Sequence, residues 1–88
     1  MHSVDLLEEA LQIAMSSGYE VRQEWMDERG GGECRIGHRR ILFVDLSLSA
    51  REQLEVVLAA LRKSPQLRLL PTTSPELKHL LTPSDATN

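Results

Sequence analysis

The stretch Cys34-Arg35-Ile36-Gly37-His38-Arg39-Arg40-Ile41-Leu42-Phe43-Val44-Asp45 decides how this chain folds. Two segments rich in β-branched and apolar residues flank Gly37-His38, and a glycine at the first central position supplies the positive φ that a type II′ hairpin turn needs. In that register Ile36 faces Arg39 and Cys34 faces Ile41, because directly opposed residues of an antiparallel pair share a face. Cys34, Ile36, Ile41 and Phe43 then lie on one side of the hairpin, and Arg35, Arg40, Leu42 and Val44 on the other.

Working outward toward the N-terminus, Tyr19, Val21, Gln23 and Trp25 alternate with Glu20, Arg22, Glu24 and Met26. That period of two predicts a strand over Tyr19 to Met26 with its Tyr19 side buried. Before it, Ser3 offers an N-cap and Asp5, Glu8 and Glu9 place negative charge near the positive end of a helix dipole. Val4, Leu7, Leu11, Ala14 and Met15 share one helical face, and Ser16-Ser17-Gly18 closes that helix. Asp27 to Gly32 reads as a loop. Its three glycines are followed by no Lys-Ser or Lys-Thr pair and by no helix start, so they lack the parts of a phosphate cradle.

Toward the C-terminus, Ser49-Ala50-Arg51-Glu52 matches a capping box, in which serine and glutamate satisfy each other's backbone N–H groups. Leu54, Val57, Leu58 and Leu61 form the buried stripe of the helix that follows, and Ser64-Pro65 stops it. Gln66 to Leu70 is apolar and suits an extended run against the core. Ser74-Pro75-Glu76 opens a short last helix facing inward through Leu77, Leu80 and Leu81. The expected architecture is α+β: a three-stranded antiparallel sheet in chain order, two helices on one face and a short C-terminal helix. Residues 1–82 form a single domain in this reading, with 83–88 a disordered tail.

The composition excludes several classes of function. The 88 residues carry a formal net charge of −3, with neither half strongly basic, so the phosphate neutralisation that drives nucleic-acid binding has little to work with. Three aromatic residues, Tyr19, Trp25 and Phe43, leave few platforms for stacked bases. No apolar run approaches the ~20 residues of a membrane helix. The single Cys34 cannot close an internal disulfide, and the first residues show no cationic and apolar leader pattern. A cytoplasmic location is expected, without membrane association.

The segment Leu48-Ser49-Ala50-Arg51-Glu52-Gln53, followed by Leu54 to Leu58 and preceded by a strand ending in Val44-Asp45, resembles the ImmA/IrrE-type metallopeptidase domain. The order helix, strand, loop, hairpin, helix over residues 1–63 is similar to that family's core. In the family, a Leu-Ser pair and a glutamine lead into a helix bearing His-Glu-x-x-His, where this chain has Ala59-Ala60-Leu61-Arg62-Lys63. The chemistry needs two imidazoles one turn apart to hold zinc and a carboxylate to activate its water. Ala59 and Ala60 offer no lone pairs and Lys63 brings a cation. The resemblance implies a shared fold with no catalytic residue, metal ligand or cofactor.

Outside that segment, His2, His38 and His79 show no metal-ligand spacing with one another or with Cys34. Cys34 falls on the apolar side of the hairpin, the place of a small core residue. Arg35, His38, Arg39 and Arg40 form the one basic cluster, a candidate contact for an anion or nucleic acid, and equally a solvated hairpin end whose charges deter edge aggregation. If both helices cover the opposite face, Leu42 and Val44 stand in solvent beside Arg35 and Arg40, as at an interface. The expected function is therefore a non-catalytic module that docks a protein partner or a second copy of itself through Arg35, Arg40, Leu42 and Val44. Anion or nucleic-acid binding through the hairpin is the alternative.

Overall fold

The computed structural model describes residues 3–29, 31–64 and 67–81. Met1, His2, Gly30, Pro65, Gln66 and everything from Thr82, including the expected tail and domain limit, lie outside them. The elements are α1 (Ser3–Ser16), β1 (Tyr19–Glu24), β2 (Gly31–Ile36), β3 (Arg39–Asp45), α2 (Ala50–Lys63) and α3 (Pro75–Leu81). The class is α+β, with α1 and α2 on one face of a three-stranded sheet and α3 packed on α1 and α2.

The hairpin forms in the expected register, with Ile36 opposite Arg39, Cys34 opposite Ile41 and Glu33 opposite Leu42. Gly37 has φ +61 and His38 a negative φ, the signature of a type II′ turn. The strand order is β1-β3-β2, however, and β1 runs parallel to β3, so the sheet is mixed where a purely antiparallel one in chain order was expected. The cause lies in β3. Ile41-Leu42-Phe43-Val44 is an unbroken apolar run, which suits a central strand flanked on both sides, whereas β2 is polar and glycine-rich and suits an edge. The chain leaving β1 at Trp25 must therefore pass the end of the intervening strand before β2 begins.

A clamp holds that connection. Asp45, fully buried at the end of β3, accepts hydrogen bonds from the Met26 N–H (3.0 Å), the Ser47 N–H (2.9 Å) and the Ser47 hydroxyl (2.6 Å). Ser47 Oγ accepts in turn from the Glu28 N–H at 2.7 Å. The Leu46 N–H donates to the Glu24 carbonyl, which ends β1 two residues short of the expected Met26. The chain leaves the sheet there, the alternation breaks, and Trp25 is 74% exposed where a buried position was expected. At the start of β2, Gly31 has φ +83, and a Cβ there would lie 2.2 Å from the Phe43 carbonyl oxygen; only glycine lets β2 close onto β3 at this point.

The helices follow their signals with one rotation. α2 begins at the capping box, with the Glu52 N–H donating to Ser49 Oγ (3.1 Å) and the Ser49 N–H to Glu52 Oε1 (2.9 Å), and Leu54, Val57, Leu58 and Leu61 are buried. α1 buries Leu6, Leu7, Ala10, Leu11, Ile13 and Ala14, while Val4 and Met15 are exposed. The expected Val4 to Met15 face is turned because α1 touches β1, α2 and α3 together and needs a wider apolar surface. Leu67 to Leu70 forms no strand; Leu67 and Leu70 pack on the core, and the Arg68 N–H donates to Ser17 Oγ at 2.9 Å. Asp45→Ala removes the shared acceptor of the clamp and should lower the unfolding free energy by about 3 kcal/mol, read from a denaturant titration with Glu55→Ala, on the exposed side of α2, as control.

Candidate functional site

The parity fixed by the turn meets the helices on the side opposite to the one expected. Leu42 and Val44 are fully buried beneath α1 and α2, packed with Leu58 and Leu61, so neither stands in solvent. The sequence alone did not decide this, because β3 is apolar on both faces. The uncovered face carries Ile36, Cys34 and Phe43, with Ile41 buried at its centre. Cys34, expected in the core, is exposed for the same reason.

Arg40 goes inward with Leu42 and Val44. Its guanidinium lies over the Tyr19 ring at 4.2 Å from the centroid, donates through Nη2 to Ser64 Oγ (2.8 Å) and through Nη1 to the Ser17 carbonyl (3.3 Å), and stands 3.8 Å from Glu33 Oε2. Tyr19 completes the link by donating its hydroxyl to the Ala60 carbonyl at 3.4 Å. One cation thus ties the ends of α1 and α2 to all three strands, an internal peg with only 11% of its side chain exposed. The interface role expected for Arg40, Leu42 and Val44 is replaced by a packing role.

The basic cluster divides accordingly. Arg39 is held on the open face by donating three hydrogen bonds of 2.8 to 3.1 Å to the Glu20 carboxylate, in a chain of charges with Arg22 and Glu24. His38 is exposed at the turn tip. Arg35 is exposed and, among the described residues, has no carboxylate partner. Four side chains that read as one basic surface are spread over two faces and a tip, and two are neutralised by glutamates.

What the structure assembles instead is a groove beside the sheet edge. Every residue of β2 is exposed or half-buried, and among the described residues no strand lies beyond it. α2 overhangs this edge, and the two enclose a groove of about 640 Å³ lined by Gly31, Glu33 and Arg35 below and by Val56, Ala59 and Lys63 above. Ala59 and Lys63 give this wall a small apolar stretch ending in a cation. Lys63, like Arg35, has no carboxylate partner among the described residues.

The edge also presents hydrogen-bonding groups in a defined order. The pair that closes a two-residue turn exchanges both backbone bonds, and bonded and non-bonded pairs alternate from there. Ile36 and Cys34 therefore spend their amides and carbonyls on β3, and those of Arg35 and Glu33 point out into the groove. The opposite edge, β1, differs: it displays Glu20, Arg22 and Glu24, already paired with one another and with Arg39, and borders a groove with Asp5, Glu8 and Glu9. Sequence reasoning missed the β2 site because it placed β2 in the middle of the sheet; the signal that finds it is the apolar run of β3.

Among the described residues no group of three His, Cys, Asp or Glu side chains is placed to hold a metal ion, and no helix is long and apolar enough to cross a membrane. No protein-family model, curated protein or solved structure matches the chain. Arg40→Ala should lower the unfolding free energy by about 3 kcal/mol, since it takes a donor from the carbonyl of buried Ser17 and from the half-buried Ser64 hydroxyl and removes the cation from the Tyr19 ring, whereas Arg39→Ala, at an exposed ion pair, should cost about 0.5 kcal/mol or less. Thermal or chemical unfolding of the two variants separates the peg from the surface charge.

Proposed function

We propose that this domain is a non-catalytic interaction module that binds a polypeptide by adding it as a strand to β2. The observation that carries the reading is the pairing of an open edge with an overhanging helix. The backbone groups of Glu33 and Arg35 face a groove whose far wall, Val56 and Ala59, is apolar and small enough to admit side chains. Strand addition draws its affinity from main-chain hydrogen bonds and its selectivity from pockets for alternate side chains, and both features are present together here. Arg35 and Lys63 favour a strand that brings carboxylates into the groove.

The non-catalytic part of the reading rests on the composition of the segment that resembles a peptidase helix, where Ala59, Ala60 and Lys63 cannot bind zinc. It fits a cytoplasmic protein with one reduced cysteine. Nucleic-acid binding has less to support it, because Arg39 is engaged by Glu20 and Arg40 is enclosed.

Selection of peptides from a random displayed library, followed by titration, tests the proposal. Selected peptides are expected to bind the wild type and to bind Arg35→Pro at least tenfold more weakly, because proline removes an outward N–H at a position where an edge strand tolerates it. Arg35→Ala keeps that N–H and should lose less. Equal binding to the proline and alanine variants, with circular dichroism showing both folded, refutes strand addition.

A further inference from the structure

We infer that the strand which fills the β2 edge is β2 of a second copy, in one register that pairs Glu33 with Arg35 of the partner subunit and sets Cys34 against the partner's Cys34. The inference rests on the strand-addition reading and names its occupant.

Only Glu33 and Arg35 and their odd-numbered neighbours turn backbone groups outward, so two antiparallel β2 strands can bond only where odd residues oppose odd residues. Three such registers lie near the centre of the strand. One opposes Glu33 to the partner's Glu33, and another opposes Arg35 to the partner's Arg35; both set like charges directly across from each other, which disfavours them. The third opposes Glu33 to the partner's Arg35 and Arg35 to the partner's Glu33, forming two ion pairs around a two-fold axis. Arg35 gains the carboxylate it lacks within one copy, and Glu33, already 3.8 Å from Arg40, lies between two guanidinium groups.

The same register serves the uncovered face. Ile36, 54% exposed, comes to lie opposite the partner's Gly32, whose missing side chain leaves room beside the half-buried Phe43 of the neighbouring strand. A two-fold axis perpendicular to the sheet keeps the helices of both copies on one side. The small residues Val56 and Ala59 then let the two α2 helices approach over the joined strands. The product is a continuous six-stranded sheet with no free β2 edge, a closed and self-complementary contact. Edge β1, whose charges are satisfied internally, has no comparable vacancy.

Cys34 makes the register measurable. It falls on the two-fold axis in a pair without backbone hydrogen bonds, where the Cα atoms of antiparallel strands are about 4.5 Å apart, inside the range a disulfide spans. Oxidised glutathione takes up the two protons and two electrons of two Cys34 thiols, giving one disulfide between subunits and two reduced glutathione molecules.

Sedimentation equilibrium from about 5 to 500 μM, with and without 1 M salt, tests the pairing on the wild type, Glu33→Lys, Arg35→Glu and an equimolar mixture of the two variants. The wild type is expected to dimerise. Each single charge reversal should weaken dimerisation by about tenfold or more, because two attractive pairs become repulsive. The mixture should recover, since every cross-strand pair in the mixed dimer joins opposite charges. Recovery also guards against misfolding, which mixing two damaged proteins would not repair. Glutathione should trap a Cys34 cross-linked dimer of the wild type and of the mixture.

A wild type that stays monomeric across the range overturns the inference. So does a dimer that neither charge reversal weakens or that Cys34 does not cross-link, which would assign self-association to another surface. Library peptides that still bind β2 of a monomeric chain would leave the strand-addition reading intact while removing the second copy as its occupant. Loss of both would remove the two together.

Discussion

The two-residue turn at Gly37-His38 sets the parity of the whole sheet. Because Ile36 opposes Arg39, every odd residue of β2 turns its backbone outward and shares a face with the even residues of β3, and that is the face α1 and α2 cover. Arg40, Leu42 and Val44 are drawn beneath α1 and α2; Glu33 and Arg35 are left with unspent amides and carbonyls at an open edge. A one-residue slip of β2 would turn its side chains to the opposite faces and spend on β3 the hydrogen-bonding groups that now face the groove.

Arg40 makes the inward set work. A buried guanidinium is costly unless it is compensated, and here Tyr19 of β1, Glu33 of β2 and Ser17 and Ser64, just past the ends of α1 and α2, converge on it, the Nε facing the Glu33 carboxylate at ion-pair distance. The peg positions the C-terminal end of α2 over the sheet and so sets the height of the groove above β2. Asp45 does the matching task at the other end of β3, holding the connection that carries the chain past the central strand. Core and candidate site share the same residues: Glu33 braces Arg40 on one side and offers its backbone on the other.

Much of this was legible in the sequence, for identifiable reasons. The capping box at Ser49 and Glu52 and the four-residue stripe of α2 are short-range signals, and a helix reads them locally. The hairpin register is equally local, being set by its turn. The strand order was not, because it depends on which strand is apolar enough to sit in the middle; the clue was present in Ile41 to Val44 but competes with the habit of placing consecutive strands side by side. The covered face was undetermined for a plain reason: Leu42 and Val44 are matched by Ile41 and Phe43, so hydrophobicity cannot choose between them. A buried arginine leaves no sign in a sequence at all, since its partners at 17, 19, 33 and 64 meet only in the folded chain.

The central claim is that the β2 edge is vacant in the isolated chain and is completed by another strand. Amide hydrogen exchange resolved by residue reads it directly. At low concentration Cys34 and Ile36, bonded to β3, should be protected while Glu33 and Arg35 exchange freely; raising the concentration should slow Glu33 and Arg35 and leave the other two nearly unchanged. Exchange at Glu33 and Arg35 that is already slow in the dilute chain, or that stays fast at every concentration and with every β2-binding peptide, would contradict the account.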